Sequence, residues 1–314
     1  MDWVFNMFER WFLLDAGAYE LRLHDCSKHT DAKTRTIVAV KNNQPLFYGQ
    51  EAISCIYQDP LMQIRYPIWE DSVDSMIHSL IENCMSVLQA DQSLLKPCIW
   101  MAVPNWYDEA YRTKWQHILL DSGIKKVKFI TNMDLLQTKE ACFLIHAGHS
   151  YTEMGIYVNG TCRSYKKVFF AGSRMDEQIK RIVATKTNCL ISNEDAMALK
   201  KAASDAFWKN QNVRLSCTAL DRYQHMQRIS ISAWDLWPGM EMIEQQIVLW
   251  AKQCFKEQPL QMKEALLKNG FLLSGGLAHC FGLRQLLEQA FGCMILHTNM
   301  PEYDIINTMK ELKG

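Results

Sequence analysis

His146 and His149 are separated by two residues, a spacing that metal-binding pairs can adopt on a turn. A zinc site needs further cysteine, histidine or acidic ligands, and no cysteine or acid at matching spacing accompanies this pair. We therefore interpret both histidines as solvent-facing or turn-stabilising residues. No metal site is predicted.

Ser274 is a second candidate for chemistry, because a serine before two glycines resembles part of a nucleophile turn. The Gly-x-Ser-x-Gly elbow of hydrolases also requires a glycine ahead of the serine, and Ser274 lacks it. We discount Ser274 as a nucleophile, and no residue is predicted to be catalytic.

The eleven cysteines stand at irregular spacings, without a Cys-x-x-Cys pair. This pattern is typical of a reduced, intracellular compartment and argues against a disulfide framework or a zinc site. Cys98, Cys142 and Cys189 are interpreted as small buried hydrophobic residues.

The composition is that of an ordinary globular protein, with 314 residues, 48% of them apolar and 22% charged. The formal net charge is zero and the basic residues are dispersed, so nucleic acid is not an expected partner. No apolar run reaches the ~20 residues of a spanning helix. The start carries Asp2 and Glu9 and lacks a signal-peptide pattern. We expect a cytoplasmic protein that meets a membrane only from its cytoplasmic surface.

The chain divides into two halves that share one pattern. In each half, an apolar run ends at a glycine-containing turn and resumes as a second strand. The first run, 11–14, resumes at 19–23, and the second, 142–145, resumes at 152–158. Amphipathic helices are predicted at 71–88 and 175–184, and further strands at 100–103, 126–130, 164–170 and 271–273. This repeat predicts a duplicated α/β fold with a ligand cleft between its halves.

The order of these turns resembles the bacterial actin MreB family along nearly the whole chain. The family's first phosphate loop, Asp-x-Gly-Thr, falls on residues 15–18, and its second, Asp-x-Gly-Gly-Gly-Thr-Thr-Glu, falls on 146–153. The Gly-Gly-Asp-x-x-Asp-Glu segment falls on 171–177, and the adenosine-side Thr-Gly-Gly-Gly falls on 274–277. The chain is identified as a divergent member with degenerate nucleotide-binding loops.

The resemblance implies an actin-like α/β fold of the duplicated ribonuclease H type, with two domains around a central nucleotide cleft. Domain I would span 1–140 with a small subdomain at about 36–65. Domain II would span 141–314 with a small subdomain at about 191–235. A C-terminal helix at about 301–314 would return to domain I.

The resemblance also implies ATP or ADP as the cofactor. The positions that match the family's nucleotide-binding residues are Asp15, Gly17, Gly148, Thr152, Glu153, Gly172, Lys200, Ser274, Gly275 and Gly276.

The second phosphate loop departs from the family pattern at three positions. His146 replaces an aspartate that helps to hold the metal, and a neutral imidazole is a poor Mg²⁺ ligand. His149 and Ser150 replace two glycines, and their Cβ atoms would crowd a phosphate. Mg²⁺ is therefore not an expected cofactor.

Other losses concern hydrolysis and the nucleoside. The first loop loses a hydroxyl at Ala18, the water-positioning glutamate is absent from 131–133, and the ribose-side glutamate corresponds to Ala202 beside Lys200. Three interpretations stay open. The remaining glycines serve only the turns, or a nucleotide is bound without turnover, or the protein is a competent ATPase.

Residues 1–10 form a candidate amphipathic segment. Trp3, Phe5 and Phe8 stand among polar residues such as Asn6, a pattern that predicts a short helix in a bilayer interface. The alternative is that this segment packs on the protein itself.

Leu94 and Leu95 precede Lys96 where MreB proteins carry a two-residue apolar loop on the membrane-facing side. An apolar pair is unusual in an exposed loop. Both features favour a peripheral location on the inner face of the cytoplasmic membrane.

The first hypothesis is therefore a membrane-associated cytoskeletal scaffold in cell shape determination, with weak or no ATP hydrolysis. It would self-associate or join MreB-type filaments. The alternatives are an active MreB-type ATPase that forms nucleotide-dependent filaments, a small-molecule kinase of the wider superfamily, and a non-polymerising actin-like adaptor.

Overall fold

The computed structural model describes residues 9–59, 61–90, 96–138 and 140–313. The chain forms two compact units. Unit 1 consists of the chain up to Leu136 together with the segment that begins at Tyr303, and unit 2 is Gln137–Glu302.

Unit 1 is an α/β unit. In chain order its elements are β1 (Arg10–Ala16), β2 (Glu20–Asp25), β3 (Thr30–Arg35), β4 (Val38–Lys41), β5 (Gln44–Tyr48), α1 (Gly49–Ser54), β6 (Gln63–Arg65), β7 (Ile68–Trp69), β8 (Ser72–Val73), α2 (Ile77–Val87), β9 (Pro97–Val103), α3 (Glu109–Asp121), β10 (Lys126–Thr131) and α4 (Asn132–Leu136).

Five of the described strands of unit 1 form its main sheet, in the order β10-β9-β1-β2-β3. β1 lies at its centre, parallel to β9 and antiparallel to β2. A central strand is buried on both faces and therefore reads as a continuous apolar run. This explains the run at 11–14, whose side chains are almost fully buried.

Unit 2 repeats this arrangement. Its elements are β11 (Cys142–Ala147), β12 (Thr152–Val158), β13 (Thr161–Val168), α5 (Gly172–Thr187), α6 (Asn193–Trp208), β14 (Arg214–Leu220), β15 (Met226–Ser232), α7 (Ala233–Lys256), α8 (Leu260–Asn269), β16 (Phe271–Ser274), α9 (Leu283–Phe291) and β17 (Ile295–Leu296). A short 3-10 helix, Gly276–His279, follows β16.

The described strands of the main sheet of unit 2 run in the order β13-β12-β11-β16-β17. Its central strand, β11, is antiparallel to β12 and parallel to β16, as β1 is to β2 and β9. Each sheet thus places a glycine-containing turn at the end of its central strand. After unit 2, α10 (Asp304–Glu311) packs against β1 and α4 of unit 1.

The start of α2 differs from the sequence prediction. The amphipathic pattern predicted a helix from Asp71, whereas residues 72–73 pair with β7 as β8 and the helix begins at Ile77. The Asp74 carboxylate accepts a hydrogen bond of 2.9 Å from the Met76 backbone N–H. Residues 72–73 are held by their pairing with β7, and the turn at Asp74 leads from that pair into the helix.

Candidate nucleotide-binding loops

The loop of unit 1 that matches the first phosphate loop is the turn between β1 and β2. Gly17 donates its backbone N–H to the Glu20 carbonyl at 3.2 Å. A Cβ atom on Gly17 would lie 2.9 Å from that same oxygen. The turn itself therefore requires glycine at this position, with or without a ligand.

The carboxylate of this loop already forms an ion pair with an arginine. Arg22 donates to Asp15 at 2.9 Å and to Glu20 at 2.8 Å, and its guanidinium lies 4.4 Å from the centre of the Tyr303 ring. Burial raises the pKa of the Asp15 carboxyl, and the Arg22 guanidinium opposes that rise. An internal cation thus already pairs with one oxygen of Asp15, the kind of ligand that Mg²⁺ would need.

The second loop lies between β11 and β12 in unit 2. Gly148 donates to the Tyr151 carbonyl at 3.0 Å, and a Cβ on Gly148 would lie 3.2 Å from that oxygen. The Thr152 hydroxyl donates to the Phe170 carbonyl at 2.7 Å. Gly148 and Thr152, both predicted site residues, therefore form hydrogen bonds that stabilise unit 2 itself.

Glu153 follows directly and is fully buried. Its carboxylate accepts a 2.6 Å hydrogen bond from the Tyr165 hydroxyl on the adjacent strand. Burial and the neighbouring Glu153 charge raise the pKa of Tyr165 far above its usual range.

The N-terminus of α5 faces the second loop. The first backbone N–H groups of a helix have no partner within it and attract anions. Here Gly172 donates to the Gly148 carbonyl at 3.2 Å, and Ser173 donates to the His149 carbonyl at 2.6 Å. The loop itself therefore takes two of the amides that could otherwise bind phosphate.

A lysine and a histidine fill the space beside these amides. Lys200 on α6 forms an ion pair of 2.8 Å with Asp176 on α5 and donates to the Gly172 carbonyl at 3.0 Å. His149 Nδ1 lies 3.8 Å from the other Asp176 oxygen. These three charged or titratable side chains are 5% to 15% exposed.

The packing at Gly172 shows how little room remains. A Cβ atom there would lie 3.2 Å from Lys200 Nζ and 3.3 Å from His149 Nδ1. A methyl group would already be crowded, so a phosphate at this point requires Lys200 and His149 to move.

The third turn follows β16 in unit 2. His146 Nδ1 lies 3.3 Å from the Ser274 hydroxyl, which is its neighbour in the β11–β16 register. Gly275 has φ +88°, and a Cβ on it would lie 2.4 Å from the Ala147 carbonyl oxygen. A Cβ on Gly276 would meet no described atom within 4 Å. Gly275 is thus needed by the turn, whereas local packing does not require glycine at position 276.

Sequence reasoning missed the partners of two predicted residues. Asp15 was singled out without Arg22, and the antiparallel pairing of β1 with β2 places these residues opposite each other. Lys200 was singled out as a nucleotide residue, and its ion pair with Asp176 depends on the packing of α5 on α6. Ala202, the position of the lost ribose-side glutamate, lines a groove beside β14.

Five predicted membrane-contact residues, Trp3, Phe5, Phe8, Leu94 and Leu95, lie outside the described residues. Within the ranges from 9 to 313 that the structure describes, no group of three histidine, cysteine or acidic side chains could hold a metal ion. No helix among those residues is long and apolar enough to cross a membrane.

Comparisons with known proteins agree on one family. The profile of the MreB/Mbl protein family matches residues 30–313. The cell shape-determining protein Mbl of Bacillus subtilis is 19% identical over 310 residues, which cover 94% of this chain and 93% of that protein. Mbl of Bacillus cereus has the same identity and coverage.

Solved structures agree on the fold. The crystal structure of MreB5 of Spiroplasma citri bound to AMPPNP has a TM-score of 0.86, with 14% identity over 97% of this chain and 96% of that one. MamK in a double helical filament has a TM-score of 0.77, with 12% identity over 96% and 98% of the two chains. The predicted actin-like α/β fold is confirmed, and the chain belongs to the MreB/Mbl family.

Proposed function

We propose that this protein is a cytoplasmic cell-shape scaffold that assembles on the inner face of the membrane without hydrolysing ATP. The cell-shape role is supported by its similarity to the two Mbl proteins, which are cell shape-determining proteins. Self-association, or co-assembly with MreB-type filaments, is supported by the likeness of fold to MamK in its double helical filament.

We infer the absence of hydrolysis from the buried ion pair between Lys200 and Asp176, beside which His149 packs. Mg²⁺ binds mainly through carboxylate and phosphate oxygens. A metal at Asp176 would have to displace Lys200, and breaking a buried pair costs about 3–5 kcal/mol. The chain thus supplies its own cation to a buried carboxylate beside the second loop.

The loop of unit 1 supports the same proposal independently. Arg22 bridges Asp15 and Glu20, which raise its pKa even though burial opposes that rise. This guanidinium stays charged at every physiological pH. A metal competing for Asp15 would therefore meet a permanent positive charge.

Calorimetric titration with ATP and Mg²⁺, together with a phosphate-release assay, tests this proposal. We expect no turnover above the buffer rate at protein concentrations that support assembly. A matched variant that restores the family loop, His146→Asp with His149→Gly and Ser150→Gly, should bind magnesium nucleotide more tightly than the wild type. Sustained phosphate release by the wild-type protein would overturn the proposal.

Membrane association is supported by where the described chain leads into the two predicted contact segments. Arg10 of β1 pairs with Pro97 of β9 in parallel register, so the described chain enters both strands at the same end of the main sheet. The backbone N–H of Lys125 donates to the Pro97 carbonyl at 2.8 Å, so Lys125 also lies at that end of the sheet. Lysines beside apolar segments favour anionic headgroups.

Co-sedimentation with vesicles that contain an anionic lipid tests the membrane part separately. The wild-type protein is expected to sediment with the vesicles. Deletion of residues 1–8, combined with Leu94→Ser and Leu95→Ser, should abolish this without changing the free energy of unfolding. Equal sedimentation of both proteins would remove the membrane claim and leave the nucleotide claim untouched.

A further inference from the structure

A groove of about 390 Å³ lies between α6 and β14 in unit 2. Ala198, Leu199 and Ala202 of α6 form its apolar wall. On the other side, four successive residues of β14, 215–218, line it. Because successive side chains of a strand point to opposite faces, four residues in a row can line one groove only where it follows the backbone edge of the strand.

The hydrogen bonds of β14 identify which backbone groups point to this edge. Leu190 and Leu220 exchange two backbone hydrogen bonds of 2.8 Å, on the side of β14 away from β15. Backbone groups alternate sides along a strand, so the N–H and C=O groups of Ser216 and Thr218 point to the same side as those of Leu220. Among the described residues, neither Ser216 nor Thr218 has a backbone partner on that side.

We propose that this edge is a docking site for an extended segment of another protein, which adds to β14 as a third strand. A free strand edge is a template for strand addition, in which backbone hydrogen bonds give affinity and alternating side chains give specificity. The bridge at Leu190 already extends the same edge and would align the incoming strand. This inference goes beyond the scaffold role and does not depend on it.

The two faces of the edge define the chemistry of the segment. Side chains that point inward meet the apolar wall and Asp195, whose carboxylate accepts the Ser192 hydroxyl. An inward acid is therefore excluded, and apolar residues fit. On the outer face, exposed Arg228 lies opposite Thr218 and has no ion pair within the described part of the chain. The segment should alternate apolar and acidic residues.

A second copy of this chain that paired through edge strand β10 or β13 would be a poor occupant on the grounds of charge. Edge strand β10 carries Lys126 and Lys128, and edge strand β13 carries Arg163, Lys166 and Lys167, and neither contains an acid. Either strand would place like charge against Arg228, and like charges across an interface disfavour association.

Fluorescence anisotropy with a labelled peptide of alternating valine and glutamate tests the proposal on the full-length protein. We expect saturable binding, and binding about tenfold or more weaker for the matched valine and lysine peptide. Arg228→Glu, an exposed substitution that should not impair folding, is expected to reverse this preference. Absence of saturable binding to the wild type, or an unchanged preference in the variant, would overturn the proposal.

Thr218→Pro tests the backbone contact. It removes an N–H that the β14–β15 ladder does not use, and proline is tolerated at such an edge. Thr218→Val is the matched control, because it keeps the N–H. The proline variant should lose the peptide and the valine variant should retain it. Equal binding by both, or concentration-dependent self-association of the wild type that Thr218→Pro abolishes, would rule against a peptide partner.

Discussion

The first phosphate loop, and helix α5 beside the second, each pair a carboxylate with an internal cation, but in different ways. In unit 1 the cation is local, since Arg22 lies directly across the β1–β2 hairpin from Asp15. In unit 2 the cation is tertiary, since Lys200 reaches Asp176 from the neighbouring helix α6. Only the second loop is also filled by a histidine, His149.

Because of this difference, the two regions should respond differently to the loss of the cation. A carboxyl whose pKa is already raised can accept a proton when its partner is removed, and Asp15 is such a group. Asp176 lies closer to full burial, at 5% exposure, between α5 and α6. The second loop should therefore depend more strongly on its ion pair for stability.

Lys200→Met should give the largest effect, because it leaves the Asp176 carboxylate buried without its cation. We expect the free energy of unfolding to fall by about 3–5 kcal/mol. Urea denaturation followed by circular dichroism measures this. The double variant with Asp176→Leu should recover most of the loss, since an apolar pair can replace a buried ion pair. Wild-type stability in the single variant would contradict the comparison.

Glu244 is a third buried carboxyl, and no lysine or arginine among the described residues forms an ion pair with it. Burial raises its pKa to about 8, with Cys280 and the Leu283 backbone opposing and Glu241 adding to the rise. The folded state therefore holds a proton that the unfolded state releases near its ordinary pKa of 4.5. Stability should be fully present below that value and should fall as pH rises through the window to about 8.

The loss across this window should be several kcal/mol, because each unit of pKa difference is worth about 1.4 kcal/mol. Glu244→Gln mimics the protonated group and should flatten the dependence. Urea denaturation of both proteins at a series of pH values within the window measures it. A parallel pH dependence in wild type and variant would show that Glu244 is ionised, as a carboxyl with an internal cation would be.

Gly275→Ala and Gly276→Ala compare two neighbours on the adenosine-side turn. The first introduces a Cβ at φ +88°, 2.4 Å from the Ala147 carbonyl oxygen, and should cost about 2–3 kcal/mol. The second meets no described atom within 4 Å and should change stability by less than about 1 kcal/mol. Thermal denaturation compares them. Equal losses would mean that the turn needs both glycines for folding.

Arg22→Met should destabilise the protein less than Lys200→Met, with a loss of about 1–2 kcal/mol, because Asp15 can protonate in response. Arg22→Lys keeps a positive charge but cannot bridge Asp15 and Glu20 in the same way. Its free energy of unfolding should lie between those of Arg22→Met and the wild type. Urea denaturation under the conditions used for Lys200→Met measures it. A loss equal to that of Lys200→Met would erase the distinction between the loops.

The central strands and the glycine turns could be predicted from the sequence because they depend on local patterns. The run at 11–14 indicates a doubly buried strand. Gly17 lies where its turn has no room for a Cβ, and a Cβ on Gly148 would make a tight contact. The pairing of Asp15 with Arg22 was also within reach, since antiparallel register follows from a short turn.

The contacts that fill the second loop could not be predicted in this way. Lys200 and Asp176 lie on different helices, and their distance depends on how α5 packs on α6 rather than on any spacing in the chain. The start of α2 at Ile77 follows the β7–β8 pair and a hydrogen bond that Asp74 accepts from Met76, and helical periodicity reveals neither. Periodicity reports which face is buried, and it carries no information about such individual bonds.

Lys200 and Arg22 have one consequence for the life of an assembly. A cation that is part of the chain is present from synthesis and is not lost when a subunit joins or leaves a polymer. In the proposed scaffold, a subunit therefore carries no chemical record of its age, and old and new stretches of polymer are identical. Subunit turnover would then depend on protein concentration, the membrane and binding partners, rather than on nucleotide hydrolysis within the subunit.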